Sequence, residues 1–495
     1  MNEPSNFCNG ACLDRQRDDT PVTNEFYYTP TGRSLEQKTI PVDLIHADLR
    51  YTQLDTHNYF GAHQIAVTHS WFKTTNKRPF IVGRSTFAGS GKYAGKWLGD
   101  SGSSYQDMQR SVTGSMMMNI MGIPFVGGDI CGYMGEQSSP ELCTRWHQVG
   151  AFQPFSRNHR DCDGRPQEPF RFVNNTIFNN TMTLTDLMRR AILDKYSLIK
   201  YYYTHLFLMS QDEGSTSGAF YKPVFFEFPQ YAGAFRANPS ENVMLGPSLK
   251  LSIKTTPNKN WEGETHDYFF PQGKWCDILN PEEECVNSLG DEMVFRPASL
   301  KDYQLHLRDG HIIPFQNART LNVSRVEDLK KYPIDLHINP KNMTMTTRTR
   351  IYQASGLYVN DDGNTTNQKG TFNKYQISFS YNDVVNGRND DETIVLRVSV
   401  KDQASEFYSN ETRCSNVNEN DILGGIYVHD EYNMFQRREY AVMVLRTDGQ
   451  YDFIGSAIFD PRTNIMVYNG KDRADIVAPV CLSNIEEIVF TGVPA

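Results

Sequence analysis

Residues 1–214 alternate short apolar runs with longer amphipathic stretches. The runs "RPFIVGRS" (78–85), "GKWLGD" (95–100), "IPFVGGDI" (123–130) and "AFQPFSRNH" (151–159) each close on polar or charged residues instead of a hairpin turn. This predicts parallel strands joined by helices, an α/β domain whose chemistry gathers at the ends of its strands. Between the runs, Met108, Val112, Met116 and Ile120 recur every four residues behind a capping-box-like Ser104 and Asp107, which predicts a helix with that stripe inward. The methionines read as core filler. A longer helix is predicted from a Thr183 cap, with Leu184, Leu187, Ala191, Leu198, Tyr202 and Leu206 on one face.

From about Phe220 the period changes. Alternating stretches at 266–279, 303–315 and 333–340, broken by Gly, Pro and Asn, predict an all-β remainder. The expected division is 1–214 for the α/β domain, 215–317 for a proximal β domain and 318–495 for a distal one. The segment "VNGRNDDET" (385–393) reads as a solvated loop.

A length of 495 residues is consistent with about three domains, each large enough to bury a core. A net charge of -9 with no long basic run argues against nucleic acid or an anionic membrane surface as the main partner. No run is apolar enough to span a membrane. Sequons at Asn174, Asn179, Asn322, Asn342, Asn364 and Asn410, with the close cysteine pairs Cys8/Cys12, Cys131/Cys143 and Cys276/Cys285, suit an extracytoplasmic setting, lysosomal, vacuolar or secreted. No Cys-x-x-Cys occurs and no helical His pair accompanies these cysteines, so disulfides are expected over a metal.

The block "RSTFAGSGKYAGKWLGD" brings a guanidinium (Arg84), a glycine-rich loop, an indole (Trp97) and a carboxylate (Asp100) to consecutive strand ends. Such a set can grip a polyhydroxylated ring. Asp129 in "GGDICGY" and His159 in "FSRNH" close the next two strands, so these groups are expected to converge on one barrel mouth.

These blocks, together with "MNEPSNF", "ELCTRWHQVGAFQPFSRNH", "FFEFP", "LRDGHIIPF" and "LYVNDDGNTT", resemble in the same order those of glycoside hydrolase family 31, most of all its lysosomal and intestinal α-glucosidases. The likeness covers residues 1 to about 370 closely and the tail loosely. It implies the second half of a (β/α)8 barrel followed by two β-sandwich-like domains. In the family the nucleophile is an Asp immediately before the Met-Asn-Glu-Pro run, so this chain is expected to begin one residue after it, to need the N-terminal half of the enzyme, and to be inactive alone. The resemblance makes Asp100 the general acid/base and gives Arg84 and His159 the sugar hydroxyls. Trp97 and Tyr133 would wall the pocket, Met1 would contact the substrate, and Asp129 would touch the ligand or orient its neighbours. It also implies a Cys131–Cys143 disulfide, an α-linked gluco-oligosaccharide or starch-type substrate, and no cofactor. Lys96, Ser101, Gly128 and Tyr133 depart from the family's common residues; Lys96 and Ser101 bear on the leaving-group side. The alternatives are an α-xylosidase or trimming glucosidase of the same family, or a non-catalytic carbohydrate-binding or partner-dependent chain.

Overall fold

The structure, a computed structural model, describes residues 2, 39–41, 43–46, 49–135, 138–177, 181–210, 219–343, 349–361, 363, 372–384, 393–402, 423–429, 439–446, 451–460, 465–469 and 485–492. Met1, Cys8, Cys12, Cys414, Cys481, the loop at 385–393 apart from its last residue, and the sequons at Asn179, Asn364 and Asn410 lie outside the described residues. Asn174, Asn322 and Asn342 are all exposed.

The α/β part runs α1 (Gln53–Thr56), α2 (Phe60–Lys73), β1 (Val82–Gly83), β2 (Gly95–Trp97), α3 (Tyr105–Ile120), β3 (Val126–Gly127), β4 (Asp129–Ile130), α4 (Pro140–Phe152), β5 (Arg157–Asn158), α5 (Leu184–Ser197) and α6 (Ile199–Ser210). β1 pairs in parallel with β2, β2 with β3, and β4 with β5, with Val82 opposite Gly95, Lys96 opposite Val126 and Asp129 opposite Arg157. Just before β5 the Phe155 amide donates to the Val126 carbonyl at 3.1 Å. A Cβ on Gly127 would lie 1.9 Å from the Phe155 carbonyl oxygen, so this close approach of two backbones requires glycine. Four successive strand positions therefore stand side by side, half the complement of a (β/α)8 barrel.

Helix α3 begins as the sequence predicts, the Ser104 hydroxyl accepting the Asp107 amide at 3.1 Å. Met108, Val112 and Met116 are buried, but Ile120 is exposed. A strict four-residue spacing overshoots the 3.6-residue turn by about 40° per step, so the fourth member has rotated about 120° off the core-facing stripe. The single helix expected from Thr183 onward is in fact two, α5 and α6, parted at Leu198. The Ser197 carbonyl is taken by the Gln316 amide at 3.1 Å and its hydroxyl accepts the Ala318 amide at 2.9 Å. A partner far away in sequence thus claims a carbonyl that a continuous helix needs for its own ladder.

Beyond the barrel, a six-stranded antiparallel sheet orders its strands 286–288, 273–277, 304–308, 249–252, 242–245 and 221–223, with a separate pair 265–270 and 292–297. Met108, Trp146, Leu187 and Tyr201 of the helices share one buried cluster with Leu249, Leu251 and Leu305, so this sheet and the half-barrel are packed through a common core. Arg145 of α4, fully buried, threads that junction: its guanidinium donates to the carbonyls of Ala298, Ser299 and Asp302 and to the side chains of Gln148 and Asn258. Cys276 and Cys285 form a disulfide.

Among the described residues, eleven of the strands from His311 onward form one sheet that closes on itself where His311 pairs with Ser355. Sheet membership changes across the turn at Asp309–Gly310: residues 304–308 belong to the first sheet and 311–315 to the second. The β-rich second half is therefore as the sequence predicts. Among the described residues no helix is long and apolar enough to cross a membrane.

Candidate active site

The ends of β1, β2, β4 and β5 surround a cavity of about 740 Å³. Arg84, Trp97, Asp100, Tyr133 and His159 line it, and the structure thus brings together five of the residues singled out in the sequence. Ile65, Phe80 and Phe155 give it apolar walls.

Arg84 follows β1 directly, and its guanidinium lies 3.7 Å from the Asp100 carboxylate and 5.3 Å from the centre of the Trp97 ring. Gly99 makes this possible. It sits at φ +92°, and a Cβ there would stand 2.9 Å from Arg84 Nε. Asp100 is thereby turned toward the cavity on a backbone that a side chain at 99 would spoil.

Asp129 is fully buried and off the cavity lining, behind Trp97, whose indole Nε1 donates to its Oδ1 at 2.8 Å. Its Oδ2 has no hydrogen-bond partner among the described residues. Burial pushes this carboxyl up to about 6, against the Trp97 hydrogen bond and the Arg157 and Arg84 charges that favour its ionised form. Arg157 lies 3.8 Å from Asp129 Oδ1 and 4.9 Å from the Trp97 ring centre. The indole is thus held by one carboxylate and two guanidiniums, which fixes its face as a wall of the cavity.

His159 stacks on Tyr133 at 4.7 Å and meets the Trp97 ring edge-on at 6.2 Å. Burial and the Arg157 charge lower its pKa, with Asp100 pulling the other way, so the imidazole favours its neutral form. A neutral imidazole can both donate to and accept from a hydroxyl.

The supporting loops are tied to one another. Tyr133 and Met134 donate their amides to the Ser101 carbonyl at 2.8 and 3.0 Å, joining the loop after β4 to the one that carries Asp100. Gln167 donates to the carbonyls of Gly132 at 3.0 Å and His159 at 2.9 Å. The expected Cys131–Cys143 disulfide anchors the first of these loops to α4. His147 lies against that disulfide, but disulfide sulfurs offer no thiolate to a metal, and burial pushes His147 down to about 4.

Lys96 and Ser101 do not line the cavity; the Lys96 ammonium donates back to the Arg84 carbonyl. Gly128 also has a local reason, since a Cβ there would come 3.0 Å from that of Ser111, whose hydroxyl accepts from Gln153 Nε2.

Two participants escaped the sequence reading. Arg157 stands two residues before His159 on one extended segment, a spacing that places both on the same face. Asn2 accepts the amides of Arg84 and Ser85 at 2.8 and 3.0 Å and donates to the Ser85 carbonyl at 2.7 Å, so the beginning of the chain is stitched to the Arg84 loop. Asparagine in an Asn-Glu-Pro run reads as turn chemistry, and only the tertiary contact reveals the stitch.

A half-barrel whose strand ends carry a carboxylate beside a guanidinium, with aromatic walls around one cavity, has the architecture of a barrel enzyme's active-site mouth. Residues 1–205 match the glycosyl hydrolases family 31 TIM-barrel domain and residues 218–313 the glycosyl hydrolase family 31 C-terminal domain. The chain belongs to glycoside hydrolase family 31. It is 33% identical over 409 residues to a lysosomal alpha-glucosidase of Rattus norvegicus, covering 78% of this chain and 39% of that protein. It is 29% identical over 391 residues to alpha-xylosidase 1 of Arabidopsis thaliana, again 39% of that protein. The crystal structure of a glucosidase II alpha subunit superposes with a TM-score of 0.71 at 19% identity, over 92% of this chain and 44% of that one. The matched part of the chain spans between 17% and 39% of the length of the curated relatives it matches.

Proposed function

We propose that this chain is the C-terminal part of a retaining α-glucosidase that releases glucose from α-linked gluco-oligosaccharides, with Asp100 as its general acid/base. The observation that carries this is Asp100 on the cavity wall beside Arg84, facing the Trp97, Tyr133 and His159 side chains. A retaining mechanism sets a second carboxylate about 5–5.5 Å from the acid. Support for its lying on residues that precede Met1 comes from the lengths of the relatives and from β1, which has β2 as its only strand partner among the described residues. Asn2 then connects the nucleophile's segment to the Arg84 loop.

In the first step Asp100 donates its proton to the glycosidic oxygen as the bond to the anomeric carbon breaks and the nucleophile's bond forms. In the second, Asp100 removes a proton from water as water displaces the nucleophile. Arg84, Arg157 and His159 bind the sugar hydroxyls, and Trp97 supplies the apolar wall. Residues 1–495 alone lack turnover on this reading and recover it with the N-terminal half. The disulfides and exposed sequons support an extracytoplasmic enzyme.

The test is Asp100→Asn in the full-length enzyme. Turnover of maltose falls by about 10²–10⁴, whereas glycosylation by an aryl α-glucoside with a good leaving group suffers much less. Near-wild-type hydrolysis of maltose by this variant overturns the assignment. A preference for α-xylosides in the same panel assigns the enzyme to the xylosidase branch.

A further inference from the structure

Lys195, in the last turn of α5, makes contacts that no charged partner explains. Its ammonium donates to the Gln153 carbonyl at 2.6 Å, the Pro154 carbonyl at 3.2 Å and the Ser156 hydroxyl at 2.6 Å, so all three of its N–H groups have acceptors. Among the described residues no carboxylate pairs with it, and burial pushes the ammonium down to about 7. A lysine that merely covered apolar surface would keep its ammonium in water. This one is committed to a single stretch of backbone.

That stretch, 153–156, joins the end of α4 to the start of β5. The last carbonyls of a helix have no partner within it and favour a donor that carries positive charge. Here the two following helices supply the donors in succession: the Tyr202 hydroxyl of α6 takes the Phe152 carbonyl at 2.6 Å, and Lys195 of α5 takes the next two. The Ser156 hydroxyl donates back to the Gly150 carbonyl at 2.6 Å. From the sheet, the Val126 carbonyl accepts the Phe155 amide, and the Gln153 side-chain oxygen accepts the Gly128 amide at 3.2 Å. The sheet contacts set the register of the segment, and the donors from α5 and α6 clamp it from the helix layer. Ser156 immediately precedes Arg157, and Arg157 and His159 both line the cavity.

We propose that Lys195 is a positioning residue for the sugar site: it touches no substrate, and by clamping 153–156 it sets where Arg157 and His159 stand. This rests on the role given above to those two residues at the sugar hydroxyls. The clamp needs N–H donors at the end of a long side chain. Methionine matches the length of lysine and offers none, whereas arginine offers several.

The experiment measures kcat/KM for maltose in the full-length enzyme for Lys195→Met, Lys195→Arg and Ser156→Ala, and for Lys195→Met combined with His159→Ala or with Arg157→Ala. Circular dichroism and melting temperature report folding; should Lys195→Met not fold, Ser156→Ala runs the same two cycles. Lys195→Met is expected to lose about tenfold or more, Ser156→Ala less, and Lys195→Arg to recover most of the loss. In the His159→Ala and Arg157→Ala backgrounds most of the cost of Lys195→Met should disappear, because the group it positions is already gone. Full additivity in both backgrounds overturns the positioning role, as do wild-type kinetics in Lys195→Met and Ser156→Ala, or a Lys195→Arg variant as impaired as Lys195→Met. His159→Ala and Arg157→Ala enzymes that turn over maltose like the wild type contradict the hydroxyl reading itself, and this inference with it.

Discussion

Asp129→Asn isolates one buried charge behind the candidate site. In the folded protein burial lifts the Asp129 carboxyl from its ordinary 3.8 to about 6. A raised carboxyl binds its proton more tightly folded than unfolded, so between about pH 4 and 6 the folded state holds the extra proton. Stability contributed by this group is therefore complete at low pH, is lost as pH rises through that window, and is flat above it. A displacement of about two pH units corresponds to roughly 3 kcal/mol. The asparagine carbonyl still accepts the Trp97 indole N–H, and its amide faces the same unpartnered position as Oδ2, so the substitution adds only an offset that does not change with pH. Urea denaturation of the full-length enzyme and the variant, at intervals from about pH 4 to 8, reads the difference in unfolding free energy. The variant should gain on the wild type by roughly 3 kcal/mol from the acid to the neutral end. A difference that stays flat with pH, or that grows in the opposite direction, refutes the claim that Asp129 is ionised at a cost in this site.

Gly99→Ala should displace Arg84, because the new Cβ meets Arg84 Nε at 2.9 Å on a backbone at φ +92°. The backbone alone costs about 1–2 kcal/mol, and kcat/KM should fall with a smaller change in melting temperature than in activity; unchanged kinetics count against the Arg84–Asp100 arrangement. Cys131 and Cys143 should be recovered as one crosslinked peptide from unreduced protein, and replacing both by serine should cost about 2–4 kcal/mol. Recovery of both as free thiols contradicts the bridge.

Much of the site was legible because its residues end apolar runs: Arg84, Trp97, Asp100 and His159 follow or close short strands and meet at one cavity, whereas Tyr133 was expected there only from the family resemblance and Asp129, expected at the same mouth, lies behind Trp97. Asn2 and Arg157 were not, since their roles consist of contacts to segments up to 83 residues away. The same distinction governs the fold. The starts of α3 and α5 follow local capping chemistry at Ser104 and Thr183, which sequence carries. The break at Leu198 depends on Gln316 and Ala318, which local periodicity cannot register. The alternating stretch 266–279 is strand as expected, but its two strands belong to different sheets, because Phe270 and Cys276 find partners in Glu292 and Leu307, not in each other.

Azide rescue of Asp100→Ala tests the central claim most directly. A retaining enzyme without its acid/base still forms the glycosyl-enzyme from an activated α-glucoside, and azide, which needs no general base, then displaces the nucleophile. The full-length variant is expected to be slow in water, to accelerate with azide, and to yield α-glucosyl azide. A β-glucosyl azide would make Asp100 the nucleophile, and no acceleration by azide would remove it from the chemistry.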